Sequence, residues 1–186
     1  MSARRQRGVT LLELVVVLAI SGAMISVALP DMRQLVRAHQ LKTAVNDLFG
    51  AIDLTRSQAI SRGRRVQLVP AGDADLDWSR GWVVFVDENG DHRPNGAEEV
   101  IMRHGPAADG IAIDAAFSGQ QGSSYLAYNS MGRSCSDISS LAARFGTLSL
   151  VQGGQTRRIK VNMLGRARIC NPARDGASCA AAGQDP

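Results

Sequence analysis

The order of apolar and polar residues divides the chain into a helical first third and a β-rich remainder. Residues 9–29 form an apolar run with a single charge, Glu13. About 20 apolar residues suffice to span the roughly 30 Å core of a bilayer, so this run predicts a transmembrane helix. Beyond Pro30, apolar residues recur every three or four positions up to Gly63, which is typical of an amphipathic helix ending at a glycine. The pattern therefore predicts one long helix, membrane-embedded over 9–29 and half-buried on a domain over 30–63.

After this helix, short β-rich runs alternate with turn residues. The tail from Asn171 has few apolar residues to bury and is expected to be flexible. We therefore predict an α+β protein in which the long N-terminal helix packs on an antiparallel β-sheet or sandwich domain over 64–170, followed by a flexible tail over 171–186. The predicted strands lie at 65–69, 81–86, 100–102, 111–113, 125–128, 147–151, 156–161 and 166–169.

A short basic leader, residues 1–8, precedes the apolar run and ends in Gly8. A secretory signal has its small-residue cleavage site after the apolar segment, whereas here a cut after Gly8 would keep the apolar helix in the mature chain. The basic flank is expected to stay cytoplasmic, which places the β-rich domain on the other side of the membrane. A carboxylate near the start of a membrane helix is costly and therefore marks a functional candidate. Glu13 would be neutralised by a positive partner, for instance the free amine of Val9 in a neighbouring subunit.

Charge is distributed unevenly along the chain. The formal net charge is +4, but three of the positive residues lie in the leader, which leaves 4 − 3 = +1 for the mature chain. Between Asp73 and Asp114 there are ten acidic residues and three arginines, whereas eight basic residues and three aspartates follow from Arg133 onward. The C-terminal third can therefore attract a polyanion that the middle of the chain repels.

Three cysteines are expected outside the cytoplasm, where disulfides persist. Cys170 and Cys179 are close enough in sequence to close a short loop, and pairing of Cys135 with Cys170 is the alternative. Spacing alone leaves both open.

The titratable residues give no case for catalysis, for a cofactor or for a metal. The three histidines are scattered, and no Ser/His/Asp or Cys/His spacing is present. Asp87, Asn89, Asp91 and Glu98 match several positions of a calcium loop, but His92 stands where that loop needs glycine. An Asn-Gly-Asp hairpin turn is the favoured interpretation. We therefore expect a protein that is not an enzyme.

The run from Arg7 to Glu13, Arg-Gly-Val-Thr-Leu-Leu-Glu, resembles the prepilin signature of type IV pilins and type II secretion pseudopilins. The resemblance implies that a prepilin peptidase cuts between Gly8 and Val9 and methylates Val9, and that Glu13 assists assembly with other pilins or pseudopilins. The family usually has phenylalanine at the first mature position, so Val9 departs from its pattern. The implied location is the bacterial inner membrane, as a single-pass precursor with a periplasmic domain, and then a pilus or pseudopilus.

Inner motifs resemble the FimT/GspH family of minor pilins and pseudopilins, and the FimT-like branch is favoured. The motifs are Thr55–Ile60, the Trp- and Asp-containing segment 78–91, Asn129–Gly132 and Gly165–Arg168. The last of these is associated in FimT-like pilins with DNA binding during natural transformation, which implies that role for Arg166 and Arg168. The alternative is a GspH-like structural pseudopilin of a type II secretion system that does not bind DNA.

The residues themselves suit phosphate. In an extended segment Arg166 and Arg168 point to one face about 7 Å apart, and guanidinium groups are planar and always charged. Gly165 allows a tight turn, and Lys160, Arg158 and Arg174 are expected to widen the patch. No aromatic residue interleaves with these arginines in the sequence. We therefore expect phosphate contacts without base stacking or sequence preference. Without the resemblance, the simplest interpretation of these residues is a solvent-exposed turn without a ligand.

Overall fold

The computed structural model describes residues 10–72, 77–96, 98–119, 124–136 and 139–180, without the side chains of 25–31. One helix, α1, runs from Leu11 to Arg62, and Gly63 follows it with a φ of 65°. The strands are β1 Val66–Pro70, β2 Trp82–Phe85, β3 Val100–His104, β4 Ala112–Phe117, β5 Leu126–Tyr128, β6 Ser134–Cys135, β7 Gly146–Gln152, β8 Gln155–Val161 and β9 Ala167–Cys170, and a short helix, α2, spans Pro172–Asp175. The predicted α+β class is confirmed.

The chain divides into two compact units, Met1–Arg37 and Ala38–Pro186. In the first unit, α1 begins with the N–H of Glu13 donating to the hydroxyl and carbonyl oxygens of Thr10. The described apolar side chains of this unit are exposed. Among the residues with a described placement, no helix combines the length and apolar character needed to cross a membrane. The predicted leader, 1–8, lies outside the described residues, as do Val9 and the side chains of 25–29 within the predicted span.

The second unit contains two antiparallel sheets. The first has the strand order β3-β2-β1-β5-β6 and the second β4-β7-β8-β9. The amphipathic stripe of α1, which includes Leu41, Val45, Leu48 and Ile52, is buried in one hydrophobic cluster with residues of both sheets. The spacing that predicted the half-buried helix therefore corresponds to the face of α1 that lies in this core.

The chain differs from expectation mainly near its C-terminal end. Residues 171–180, predicted as the start of a flexible tail, form α2 and a 3₁₀ turn, Gly176–Cys179. The side chain of Asn171 accepts from the N–H of Ala173 at 3.1 Å and thereby caps α2, and a disulfide joins Cys170 to Cys179. These local bonds order a segment that has little apolar surface. Residues 181–186, the rest of the predicted tail, lie outside the described part.

Candidate functional site

The turn between β8 and β9 is organised by the side chain of Asn162. Its carboxamide oxygen accepts from the N–H groups of Leu164 and Arg166, each at 3.0 Å. Gly165 has a φ of 77°, a region that favours glycine. A Cβ at this position would lie 2.7 Å from the carbonyl oxygen of Gly132. Gly165 is therefore required both by the turn and by the close approach of the β5–β6 connection.

Two hydroxyl groups of the first sheet hold this turn of the second sheet. The Tyr128 hydroxyl donates to the carbonyl oxygen of Gly165 at 3.0 Å, and the Ser134 hydroxyl donates to that of Asn162 at 3.1 Å. Burial raises the pKa of Tyr128 well above its ordinary value, with a smaller opposing effect from Arg56. Tyr128 therefore remains a hydrogen-bond donor at physiological pH, and the turn has a fixed position on the domain.

A groove of about 540 Å³ lies beside the turn, at the end of the second sheet. Thr147, Lys160 and Arg168 are direct neighbours in the strand register of β7, β8 and β9. Arg166 joins them from the turn. Among the described residues, no acidic side chain lines this groove. The lining residues are Phe145, Gly146, Thr147, Lys160, Val161, Asn162, Met163, Arg166, Ala167 and Arg168.

The disulfide-closed segment, residues 170–179, holds the basic side chains of β8 and β9. Arg158 donates to the carbonyl oxygen of Cys179 at 2.7 Å, and Lys160 donates to that of Ser178 at 3.4 Å. Arg168 also donates to the Ser178 carbonyl oxygen. These carbonyls limit the rotamers of the three cations and keep their charges at one surface.

The structure thus brings together only some of the residues predicted for the basic patch. Lys160, Arg166 and Arg168 line the groove, and Gly165 shapes its turn. Arg158 is half-buried and donates to the carbonyl oxygen of Cys179, and Arg174 is exposed on α2. Neither residue lines the groove.

Sequence reasoning missed the apolar part of this site. Phe145 and Met163 line the groove and are 36% and 54% exposed. Phe145 lies far from the arginines in sequence, and only the pairing of β7 with β8 brings it beside them. No aromatic residue is close to the arginines in the sequence, but the fold places Phe145 in the same groove as Arg166 and Arg168.

The acidic loop after β2 forms a separate cluster. Asp87, Asp91 and Glu98 each place a carboxylate oxygen within 4.8 Å of the others. Asp87 accepts from the side chain of Gln67 at 2.7 Å and from the N–H of Gly90 at 2.6 Å. The N–H of Arg93 is the main cause that lowers the pKa of Asp91. These hydrogen bonds organise the loop as a turn, the interpretation that the sequence favours.

Two matches to known families cover most of the chain. Residues 44–165 match the family described as Type II transport protein GspH, and residues 3–29 match the Prokaryotic N-terminal methylation motif. The chain belongs to the GspH family. It is also 30% identical over 166 residues to the Pilin-like protein PilA1 of Thermus thermophilus. This alignment covers 88% of this chain and 98% of PilA1.

Solved structures show the same GspH-type fold. The minor pilin FimU of the Pseudomonas aeruginosa type IV pilus superposes with a TM-score of 0.56 at 17% identity, over 75% of this chain and 95% of FimU. The minor pseudopilin EpsH of the Vibrio cholerae type II secretion system gives a TM-score of 0.50 at 14% identity, over 74% of this chain and 96% of EpsH.

As a GspH-family member, the protein is a minor pilin or pseudopilin of a type IV pilus or a type II secretion system. It is a structural component and not an enzyme, because the family consists of structural pilins and pseudopilins. Family membership implies processing by a prepilin peptidase and assembly with other pilins. The methylation motif implies an inner-membrane anchor with a periplasmic domain.

Proposed function

We propose that the protein is a FimT-like minor pilin of a type IV pilus that binds DNA for uptake in natural transformation. The contact would be made without sequence preference, by Lys160, Arg166 and Arg168. The observation that carries the proposal is the groove itself, in which three cations meet and no described lining residue is acidic.

The geometry suits phosphate contact in two respects. Arg166 is exposed, and among the described residues its guanidinium has no hydrogen-bond or ion-pair partner, so its donors are available to a ligand. The turn that carries it is held by Tyr128 and Ser134. A site with a fixed backbone loses less conformational entropy on binding than a mobile loop does.

The proposal predicts that a double variant, Arg166→Gln with Arg168→Gln, loses most of the DNA affinity. The full chain, purified in a non-ionic detergent, is titrated with labelled duplex DNA at two salt concentrations. If about three phosphates are neutralised, the logarithm of the wild-type affinity falls with the logarithm of salt with a slope of about −2 to −3. The double variant should show a slope smaller in magnitude by up to about 2.

A matched control carries Arg93→Gln with Arg103→Gln, which removes the same charge from exposed positions outside the groove. The control should bind almost as well as the wild type. Equal affinities for wild type and the groove variant would show that the groove is not the site. Absence of binding by the wild type even at low salt would reject DNA binding and favour a structural pseudopilin of a type II secretion system.

The N-terminal residues have proposed roles in assembly. A prepilin peptidase would cut between Gly8 and Val9 and methylate Val9, and Glu13 would pair with the Val9 amine of a neighbouring pilin. The match of residues 3–29 to the methylation motif supports this proposal. Glu13 is exposed in the first turn of α1, where the helix dipole favours a carboxylate and a partner can reach it.

A further inference from the structure

The groove beside the basic turn has more apolar surface than a phosphate-binding surface needs. Phosphate groups are contacted from an open face, whereas this groove has a volume of about 540 Å³. That volume lies within the roughly 300–1,000 Å³ of pockets that enclose small organic ligands. Phe145 and Met163 are exposed apolar residues of its lining, while Lys160 and Arg168 contribute charge. An occupant must therefore combine a negative group with a flat or compact apolar group.

A nucleotide of a single strand has both parts. In duplex DNA the bases are stacked on one another, and only phosphates and groove edges are offered to a protein. An unstacked base instead presents a π-face that packs on aromatic side chains whatever its identity. We infer that the groove takes one unstacked base of single-stranded DNA against Phe145, with the adjoining phosphates on Arg166 and Arg168. This inference rests on the proposed function and narrows its ligand.

The backbone of Phe145 is held in place by hydrogen bonds to Ser118. The N–H of Ser118 donates to the carbonyl oxygen of Phe145 at 2.7 Å, and the N–H of Phe145 donates to the Ser118 hydroxyl at 3.0 Å. The next residue, Gly146, packs so closely on β4 that a Cβ would lie 2.2 Å from the carbonyl oxygen of Ala116. The start of β7 is thus fixed beside the cations, and Phe145 as a residue is 36% exposed. A partly exposed ring on a rigid backbone is a suitable platform for a base.

The test compares three labelled ligands of equal phosphate number, titrated with the full chain in detergent at low salt. The ligands are an oligothymidylate, the same strand with abasic sites in place of the bases, and a short duplex. Stacking of one base is expected to make the oligothymidylate bind about tenfold more tightly than the abasic strand. Phe145→Leu keeps the apolar volume and should remove that difference, while Phe145→Tyr keeps a ring and should preserve it.

Leu141→Ala is a matched control, since Leu141 is 83% exposed and does not line the groove. It should leave all three affinities unchanged, and thermal unfolding checks that each variant is folded. Equal binding of the oligothymidylate and the abasic strand, unaffected by Phe145→Leu, would overturn the stacking inference and leave DNA binding by the arginines standing. If the wild type binds none of the three ligands, the proposed function is overturned, and the inference with it.

Discussion

At the scale of single residues, the turn between β8 and β9 depends on a tyrosine from another sheet. Tyr128 is buried, and its hydroxyl donates to the carbonyl oxygen of Gly165. Removal of a hydrogen bond of this kind costs about 0.5–1.5 kcal/mol in the free energy of unfolding. The same bond fixes the position from which Arg166 extends, so the proposal couples stability to DNA binding at this residue.

Tyr128→Phe removes the hydroxyl and keeps the ring. It should lower the free energy of unfolding by about 1 kcal/mol and weaken DNA binding severalfold, as measured by urea unfolding and by titration. Burial raises the pKa of Tyr128 in the folded state. Below a pH of about 10 the group is neutral in both states. Above that pH it ionises first in the unfolded state, so the wild type loses stability that Tyr128→Phe retains.

Ser134→Ala is the matched control, because it removes the second hydroxyl that holds the turn without removing an ionisable group. Its stability should fall above a pH of about 10 as steeply as that of the wild type. A Tyr128→Phe protein with unchanged stability and unchanged DNA affinity would mean that this hydroxyl does not hold the turn.

At the scale of elements, the disulfide-closed segment supports the β8–β9 hairpin. It carries the carbonyl oxygens that accept from Arg158, Lys160 and Arg168. A disulfide stabilises mainly by restricting the unfolded chain, and a loop of this length is worth about 2–3 kcal/mol. The hairpin edge and the closing segment should therefore loosen together when the disulfide is removed.

Reduction of the wild type should lower its free energy of unfolding by about 2–3 kcal/mol, measured by urea denaturation with and without a thiol reductant. A variant with Cys170→Ser and Cys179→Ser should start at the lower value and not respond to reductant. Cys135, a buried residue of β6 that pairs with Ala127 of β5, is unchanged in both proteins, so it does not affect the comparison. If thiol counting shows complete reduction and stability does not change, the segment has no such supporting role.

The sequence predicts the framework well and the site only in part. Periodicity locates α1 and most strands, because burial on one face imposes regular spacing. The strand β6 escapes it because two residues are too few to show a period. The segment 171–180 escapes it because local hydrogen bonds and a disulfide order it. Local motifs locate Arg166 and Arg168, whereas Phe145 and Tyr128 become neighbours of the turn only through strand pairing and sheet packing. Such long-range proximity has no local signature in one sequence.

At the scale of the whole molecule, the two proposed roles of the chain belong to different units. The basic groove belongs to the second unit, Ala38–Pro186, and the methylation motif to the first. The acidic residues between Asp73 and Asp114 repel a polyanion, which favours approach by the basic C-terminal third. Assembly and DNA binding should therefore be separable by mutation.

Glu13→Gln should reduce incorporation into filaments while DNA binding by the purified chain stays unchanged, because the substitution removes only the charge proposed to pair with a neighbouring amine. Intact mass measurement should still show a chain that begins at Val9 and carries one methyl group. Gly8→Val is the complementary variant, and its mass should be that of the uncleaved precursor. Normal incorporation of the Glu13→Gln protein would contradict the proposed pairing of Glu13. Cleavage at another bond would contradict the proposed cleavage site between Gly8 and Val9.

The close approach of Gly165 to Gly132 has a consequence for any comparison of short motifs among proteins. The four residues Gly165–Arg168 take their geometry from Tyr128 and Ser134, which no fragment of the hairpin contains. The sequence of the motif alone therefore does not determine its geometry. Grafted onto an unrelated hairpin, or excised as a peptide, it would keep its charge and lose its shape. Genomic searches for the tetrapeptide alone will collect many chains that lack the domain able to hold it.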